Sequence, residues 1–228
     1  VQSTFAQNYQ SRKHQVFEAE RALPPGAMQA LYDNFETDLR EIAALAEERG
    51  KTVIISSVAS AERYTPVFSV HKAGLGEAEL KAFEDAYQRG LDMYDRKEFD
   101  GAIGYFLTAA EIDDQPAIMN YWLGQSYLES GNKDRGRYYI SRSIDNDGLP
   151  GRSSSFLHKI SESVASDYVS VYYTDAVQAI RDAHDKGINS YELFVDSQHP
   201  APLGHIIIGR NFVAAMSKLE PLKSYQAP

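Results

Sequence analysis

An acid and a histidine three positions apart, Asp196 and His199, are the residues of this chain whose types and spacing could do chemistry. They follow the largely apolar stretch 192–196, which predicts a short strand, and they precede a segment with apolar residues at helical spacing. We therefore expect them on a loop between a strand and a helix. There the carboxylate can orient the imidazole and stabilise its charged form, so that the other ring nitrogen can deprotonate a nucleophile.

No nucleophile for this pair is recognisable. Neither a G-x-S-x-G elbow nor a Gly-Asp-Ser block occurs upstream. The absence of cysteine excludes thiolate catalysis, disulfides and cysteine-ligated zinc. The alternative role for Asp196 and His199 is structural, as a hydrogen bond that tethers the loop to the start of the helix.

Metal binding is the other chemistry that these side chains could support. Asp196, His199 and His205 do not have the i, i+4 histidine spacing of a helical metal site, and no H-E-x-x-H occurs. The acids at 113–114, 145 and 147 lack the spacing of an EF-hand loop and are predicted to lie at helix ends and turns. We predict no metal site and no cofactor. His71 is expected to be a packing or solvent-facing residue.

The Asp196-x-x-His199 block before the last helix resembles the C-terminal block of SGNH/GDSL-type hydrolases, a family of serine esterases and acyl hydrolases. Three earlier stretches strengthen the likeness, because they occur in the same order as in bacterial members with tetratricopeptide repeats inserted in the hydrolase domain. These stretches are Asn34-Phe-Glu-Thr-Asp-Leu-Arg-Glu-Ile42, Gly50-Lys-Thr-Val-Ile-Ile-Ser-Ser-Val58 and Pro66-Val-Phe-Ser-Val-His71.

This resemblance implies a partial flavodoxin-like parallel sheet of an α/β domain, interrupted by an α-helical repeat insertion. It implies that His199 is the general base and that Asp196 orients it, in hydrolysis of an acyl or O-acetyl ester. In that family the nucleophilic serine and the oxyanion-hole Gly and Asn come from blocks nearer the N-terminus, and none of these blocks is present here. The chain is therefore expected to be inactive alone and to need a missing N-terminal half or a partner polypeptide that completes the sheet.

The elements that must position the pair begin after the break at Pro24-Pro-Gly26. Residues 10–22 have a mixed composition that favours a helix. Apolar residues then recur at intervals of three and four from Met28 to Leu45, which predicts an amphipathic helix ended by Gly50. The β-branched run 52–58 predicts a buried strand. Helix, turn and buried strand are the second half of a βαβ unit, which implies a parallel sheet.

From about residue 77 the pattern repeats. Gly90 and Gly124 are separated by 34 positions, the tetratricopeptide length, and the same shift relates five further pairs. The pairs are Tyr87 with Tyr121, Tyr94 with Leu128, Ala102 with Gly136, Phe106 with Ile140, and Ala109 with Ser143. We predict two repeats at 83–116 and 117–150, with Gly90 and Gly124 at equivalent close helix contacts.

The aromatic residues of these repeats have two possible roles. Tyr87, Tyr94, Tyr121, Trp122 and Tyr127 could line a concave face that binds a peptide or protein, although packing between helices is the commoner role. A helix at 151–166 is predicted to cap the repeats. A strand at 168–173 and a helix at 175–186 follow it. The predicted domains are 1–76, the first part of the α/β domain; 77–166, the helical insertion; and 167–228, the second part of the α/β domain.

Composition narrows the classes of partner. The formal net charge of −9, without a Lys/Arg cluster interleaved with aromatics, argues against nucleic-acid binding. No apolar run approaches the roughly 20 residues needed to span a bilayer. Because the chain begins at Val, an upstream segment is expected, and the resemblance gives a lean towards an extracytoplasmic location. The competing function is a non-catalytic interaction module in which the repeats bind a partner on a degenerate hydrolase scaffold.

Overall fold

The structure is a computed structural model that describes residues 16–17, 23–24, 26–149, 151–184, 187–188 and 192–219. The described part of the chain is mostly helical, with two small two-stranded parallel sheets. Its elements, in chain order, are β1 (Val16–Phe17), α1 (Ala27–Glu48), β2 (Val53–Ser56), β3 (Ser69–Val70), α2 (Glu77–Asp95), α3 (Phe99–Ile112), α4 (Ala117–Glu129), α5 (Lys133–Asp145), α6 (Ser155–Asp167), β4 (Val171–Thr174), α7 (Ala176–Asp182) and α8 (Pro202–Met216).

The chain forms two compact units. The helical unit comprises residues 1–23 and 63–151, and the sheet unit comprises residues 24–62 and 152–228. The predicted divisions after residues 76 and 166 therefore lie after residues 62 and 151 instead. The N-terminal segment belongs with the helical unit because β1 pairs in parallel with β3. Val16–Phe17 is thus a strand where the composition of residues 10–22 favours a helix.

The sheet unit is built around the parallel pair β2 and β4. Val53 pairs with Val171 and Ser56 with Thr174, which confirms the predicted parallel pairing, although both strands are shorter than expected. One face of the pair is covered by α1 and α6. The core on this face contains Ala43 from α1, Ile55 and Val171 from the strands, and Val164 and Ala165 from α6.

The position of α6 corrects the predicted cap of the repeats. Its apolar residues Ile160, Val164 and Ala165 pack with the sheet core, so α6 belongs to the sheet unit. A helix with one apolar stripe needs a partner, but the stripe does not specify which one. Here α6 immediately precedes β4, and it is the helix of the crossover that returns the chain to the sheet.

The helical unit consists of two helical hairpins, α2–α3 and α4–α5, whose internal contacts repeat after 34 residues. A Cβ atom on Gly90 would lie 2.5 Å from the ring of Phe106, and one on Gly124 would lie 2.9 Å from the side chain of Ile140. Phe106 and Ile140 are themselves related by the predicted shift. The predicted equivalence of the two glycines is therefore confirmed. Tyr87, Phe106 and Ile140 are all fully buried.

Two aspartates connect the loop between β2 and α2 to the hairpins. Asp113 accepts hydrogen bonds from the amides of Lys72 and Gln115 and lies 2.9 Å from His71 Nδ1. Burial alone would raise the pKa of Asp113, but these hydrogen bonds outweigh it and lower the pKa below its usual value. Asp147 accepts from the amides of residues 67, 68 and 149. Both acids thus lie at helix ends and turns, as predicted, where they accept hydrogen bonds from backbone amides. The ring of His71 packs against that of Phe83.

The glycine contacts predict opposite effects of alanine within one unit. Gly90→Ala and Gly124→Ala should each lower the free energy of unfolding by about 1–3 kcal/mol, because the added methyl overpacks the hairpin. Gly104→Ala in α3 is the matched control. It meets nothing within 4 Å and should raise stability by up to about 1 kcal/mol through helix propensity. Denaturant unfolding checks this; equal effects at all three positions would contradict the repeat contacts.

Candidate functional site

Asp196 and His199 form a hydrogen bond within a five-residue loop. His199 Nδ1 lies 2.8 Å from Asp196 Oδ2, so the distance expected from the sequence is present. The other carboxylate oxygen accepts from the backbone N–H groups of Gln198 and His199, each at 2.8 Å. The backbone of the loop therefore orients the carboxylate, and the carboxylate orients the imidazole.

The electrostatics of the loop determine which ring nitrogen carries the proton. The amides of His199 and Gln198, followed by the His199 side chain, lower the pKa of Asp196 to about 2. At neutral pH the carboxylate is ionised and can only accept, so His199 Nδ1 must donate. The neutral ring then has its lone pair on Nε2, which has no hydrogen-bond partner among the residues that the structure describes. This is the tautomer that a general base requires.

The loop is exposed. The His199 side chain is 74% exposed and that of Asp196 is 47% exposed. The predicted strand at 192–196 is reduced to a single antiparallel bridge between Phe194 and Pro200. It is closed by hydrogen bonds from Val195 N to His199 O at 2.9 Å and from Ala201 N to Leu193 O at 2.8 Å. The chain turns back on itself too soon for a strand because Pro200 and α8 follow at once.

One backbone hydrogen bond places this loop near the carboxyl end of β2. Ala61 N donates to Ser197 O at 3.0 Å, and residues 57–61 directly follow the last residue of β2. Ligands in open α/β sheets bind outside the carboxyl ends of the strands. The Asp196–His199 loop therefore lies beside the edge where such a fold would bind a ligand.

The start of α8 is held against the loop by a close backbone contact. A Cβ atom on Gly204 would collide with the carbonyl oxygen of Leu193 and would lie 3.1 Å from Pro200. The same Leu193 carbonyl accepts from Ala201, so only a residue without a side chain fits there. Gly204 thus lets the helix begin directly after the loop that carries His199.

A buried ion pair supports the segment after β2, and the sequence did not reveal it. The Glu62 carboxylate, only 5% exposed, accepts hydrogen bonds from the guanidinium of Arg181 on α7. Arg152 donates to the Glu62 carbonyl oxygen at 3.2 Å. Glu62 is adjacent to Ala61, so this pair anchors the residue that bonds the Asp196–His199 loop. The available sequence signal for this ion pair was an acidic residue near alanines after a predicted strand. Its partner could not be identified because it is 119 residues away.

Two more polar groups lie at the carboxyl ends of β2 and β4. Ser57 Oγ donates to Asp175 Oδ1 at 2.7 Å and accepts from the amide of Val177, which joins the end of β2 to the start of α7. His158 Nε2 lies 2.9 Å from Ser153 Oγ and 3.3 Å from the carbonyl oxygen of Val58. Burial lowers the pKa of His158.

The structure does not bring Asp196 and His199 together with a serine hydroxyl. Among the described residues, the side-chain hydrogen bonds of Asp196 and His199 join these two residues to each other and to the backbone N–H groups of Gln198 and His199. Within the same described ranges, no three His, Asp or Glu side chains converge as a metal site would require. None of the described helices is both long and apolar enough to cross a membrane.

Comparisons with family models, with curated proteins and with solved structures gave no match for this chain. The likeness to SGNH/GDSL-type hydrolases therefore depends on the sequence stretches quoted above. The class that the fold itself defines is coarser: a mostly helical protein with small parallel sheets.

The hydrogen bonds of Asp196 predict a titration far below the ordinary range. Because the folded carboxyl has a pKa of about 2, its contribution to the loop should be complete above about pH 4 and be lost as pH falls towards 2. A carboxyl-detected NMR titration of Asp196 should give this midpoint. In His199→Ala the midpoint should rise, because the side-chain hydrogen bond is lost while the two amides remain. An unchanged midpoint in the variant would exclude the ring as a donor to this carboxylate.

Gly204 predicts a second measurable effect. Gly204→Ala should destabilise the sheet unit by about 1–3 kcal/mol and shift the amide resonances of residues 195–199, because the methyl forces α8 away from Leu193. Gly209→Ala on the same helix meets nothing within 4 Å and should stabilise it by up to about 1 kcal/mol. Thermal unfolding and NMR spectra of both variants test this. If Gly204→Ala leaves the loop resonances unmoved, the helix start does not hold the loop.

Proposed function

We propose that this chain is the C-terminal part of an SGNH-like serine esterase or acyl hydrolase. The observation that carries the proposal is the hydrogen bond from His199 Nδ1 to an ionised Asp196, with Nε2 exposed and unpartnered among the described residues. In the proposed reaction a serine from another polypeptide segment attacks the carbonyl carbon of an acyl or O-acetyl ester. His199 supplies general acid–base catalysis, and Asp196 orients it.

The proposed proton path uses only Nε2. This nitrogen takes the serine proton as Oγ bonds to the carbonyl carbon, and the Asp196 carboxylate stabilises the imidazolium. The same proton then passes to the leaving alcohol as the ester C–O bond breaks. In the second half of the reaction Nε2 takes a proton from water as the water oxygen bonds to the acyl carbon, and it returns that proton to serine Oγ as the C–Oγ bond breaks and the acid is released. Asp196 remains ionised throughout, in keeping with its low pKa.

The edge of β2 supports the proposal that another segment completes the sheet. Val53 and Ser57 donate to the carbonyl oxygens of Ser170 and Thr174, so alternate residues of β2 point their backbone groups at β4. Ile54 and Ser56 lie between them and point theirs to the opposite edge. No strand pairs with that edge among the residues that the structure describes. It therefore offers a partly apolar template for a further parallel strand.

The handedness of parallel crossovers selects this edge over the free edge of β4. The chain passes from β2 to β4 through α6, and α1 packs on the same face as α6. Crossovers between parallel strands are right-handed in nearly all proteins. A strand joined to β2 through α1 must therefore lie on the side of β2 away from β4. We propose that the missing segment adds its strand there.

The exposed apolar residues of the sheet unit support a partner of this kind. In α8 only Gly204 is buried, although the helix contains seven large apolar residues. Leu203, Ile206 and Met216 are among the exposed large apolar side chains. Apolar surface of this extent on one helix is typical of an interaction face. Added strands beside β2, with their own helices, would cover it.

A second candidate function is the non-catalytic interaction module. It is favoured by the helical unit, where Tyr127, Tyr138 and Tyr139 contact one another and lie beside arginines. The two functions are separable, since the residues of each lie in a different unit.

The experiment compares the chain alone with the chain coexpressed with the polypeptide segment that carries a Gly-Asp-Ser block, using p-nitrophenyl acetate. The chain alone should not exceed background, because loss of the serine in a comparable triad costs roughly a millionfold in rate. The complex should gain esterase activity. His199→Ala should return it to background, and Asp196→Ala should lower kcat by roughly ten thousandfold.

His205→Ala is the matched control. His205 is exposed and lies six positions beyond His199, in the first turn of α8. Its replacement should leave the gain in activity intact. Equal activity in the His199→Ala complex would exclude the general-base role and leave the interaction module as the better account.

A further inference from the structure

Three tyrosines and two arginines on α4 and α5 form one continuous surface, here named the tyrosine–arginine surface: Tyr127, Arg135, Tyr138, Tyr139 and Arg142. The rings of Tyr127 and Tyr139 stack with centroids 5.6 Å apart and planes 5° apart. Tyr138 meets Tyr139 edge to face at 5.0 Å. Tyr138 is 54% exposed. Tyr87 and Tyr121, by contrast, are buried core residues, which is the commoner of the two roles expected for the repeat aromatics.

The guanidinium groups cover the ring faces of this surface. The guanidinium of Arg135 lies 5.9 Å from the ring centroid of Tyr127, and that of Arg142 lies 6.0 Å from the ring centroid of Tyr138. Stacking on tyrosine holds a guanidinium in place while its N–H edges stay available. Arg142 already donates to Asp114 and to the Tyr138 hydroxyl, so the groups offered to a ligand are the N–H edges of Arg135 and phenolic O–H donors rather than open aromatic faces.

The charge of this segment is opposite to that of the chain. Between residues 133 and 142 there are four cationic side chains and one acid, whereas the whole chain has a net charge of −9. Arg137 pairs with Asp134, and Arg142 pairs with Asp114 at 2.7 Å. In the described part of the chain no carboxylate pairs with Arg135. Arg142 Nε is buried without a hydrogen-bond partner.

We propose that the tyrosine–arginine surface binds an acidic peptide segment of a partner protein. Carboxylates of such a segment would accept from Arg135, and the depression lined by Arg135, Tyr138, Tyr139 and the salt-bridged Asp134 would seat the peptide. Tyrosine and arginine are also the residue types that dominate the binding energy of protein interfaces. The tyrosine–arginine surface is centred on α5, the second helix of its hairpin, rather than on the first helices α2 and α4.

Charge and geometry favour a peptide over an acidic carbohydrate and over a nucleic acid. A sugar ring binds aromatic residues through an open ring face, and two of the three rings already have a guanidinium over one face. A nucleic acid is a long polyanion, which the net charge of −9 repels beyond the local patch. A short acidic peptide needs only the local cations.

This proposal is independent of the hydrolase proposal. Its residues lie in the helical unit, whereas Asp196 and His199 lie in the sheet unit. Its test measures binding and not esterase activity, so that failure of either proposal leaves the other standing. It specifies the surface and the partner chemistry of the interaction module.

The test titrates the full chain with an acetylated, amidated hexaglutamate peptide and follows backbone amide resonances by NMR. Hexaglutamine is the neutral control. Hexaglutamate should shift the amides around residues 127 and 135–142 in a saturable manner, and hexaglutamine should not. Arg135→Ala should weaken binding about tenfold, since it removes charge-assisted hydrogen bonds, and added salt should weaken it further.

Arg89→Ala is the matched variant, because Arg89 lies 5.9 Å from the ring centroid of Tyr105 and so makes a similar arginine–tyrosine contact elsewhere in the helical unit. It should leave binding unchanged. Equal losses in both variants, or no saturable shift at all, would overturn the proposal. Tighter binding of hexagalacturonate at the same amides would replace the peptide with an acidic carbohydrate. A concentration-dependent dimer, seen by sedimentation and lost in Arg135→Ala, would assign the tyrosine–arginine surface to a second copy of the chain.

Discussion

Parallel pairing across a very long stretch of sequence is the constraint on which the sheet unit depends. Ser57 at the end of β2 bonds Asp175 at the start of α7, and the two are 118 residues apart. Parallel strands always need a crossover, and here the crossover contains most of an independent helical unit as well as α6. Because the entropy of closing a loop grows only slowly with its length, an insertion of this size is tolerated. A unit with its own buried core reduces the remaining cost, since it brings its ends into fixed positions.

Local contacts orient the side chains of the Asp196–His199 loop, and distant contacts hold the loop beside β2. The hydrogen bonds that set the carboxylate and the imidazole come from residues within three positions of Asp196. The contacts that hold the loop beside β2 come from far along the chain, through Ala61 and the Glu62–Arg181 pair. A buried pair of this kind adds little net stability, but loss of one partner leaves an uncompensated charge and costs about 3–5 kcal/mol. The orientation of the imidazole therefore depends only on neighbouring residues, whereas its position beside β2 depends on distant contacts that a single substitution can remove.

Features that depend on residue spacing could be predicted from the sequence. Features that depend on which of several elements or side chains becomes the contact partner could not. The 34-residue shift correctly related Gly90 to Gly124 and Phe106 to Ile140, because the close contact of Gly90 with Phe106 in one hairpin recurs as that of Gly124 with Ile140 in the other. The buried strand β2 followed from its apolar, β-branched run, and its parallel pairing followed from the order of helix, turn and strand. The packing of α6 could not be predicted, since its stripe suits either the repeats or the sheet. Arg181 as the partner of Glu62 was equally hidden, because pairing over such a separation leaves no local pattern.

The local hydrogen bonds that orient Asp196 and His199 have a consequence for the kinetics of assembly in the proposed hydrolase. If the proposed catalytic role holds, a pair that is already oriented would not have to reorganise when the proposed complementary polypeptide binds. The rate of assembly would then be governed by strand addition at β2, a slow step that must align several backbone groups in register. Turnover would begin as soon as the strands are in register, without a lag for ordering the imidazole. Because this loop is already ordered, the conformational cost of forming the proposed complex would lie in adding a strand at the edge of the sheet.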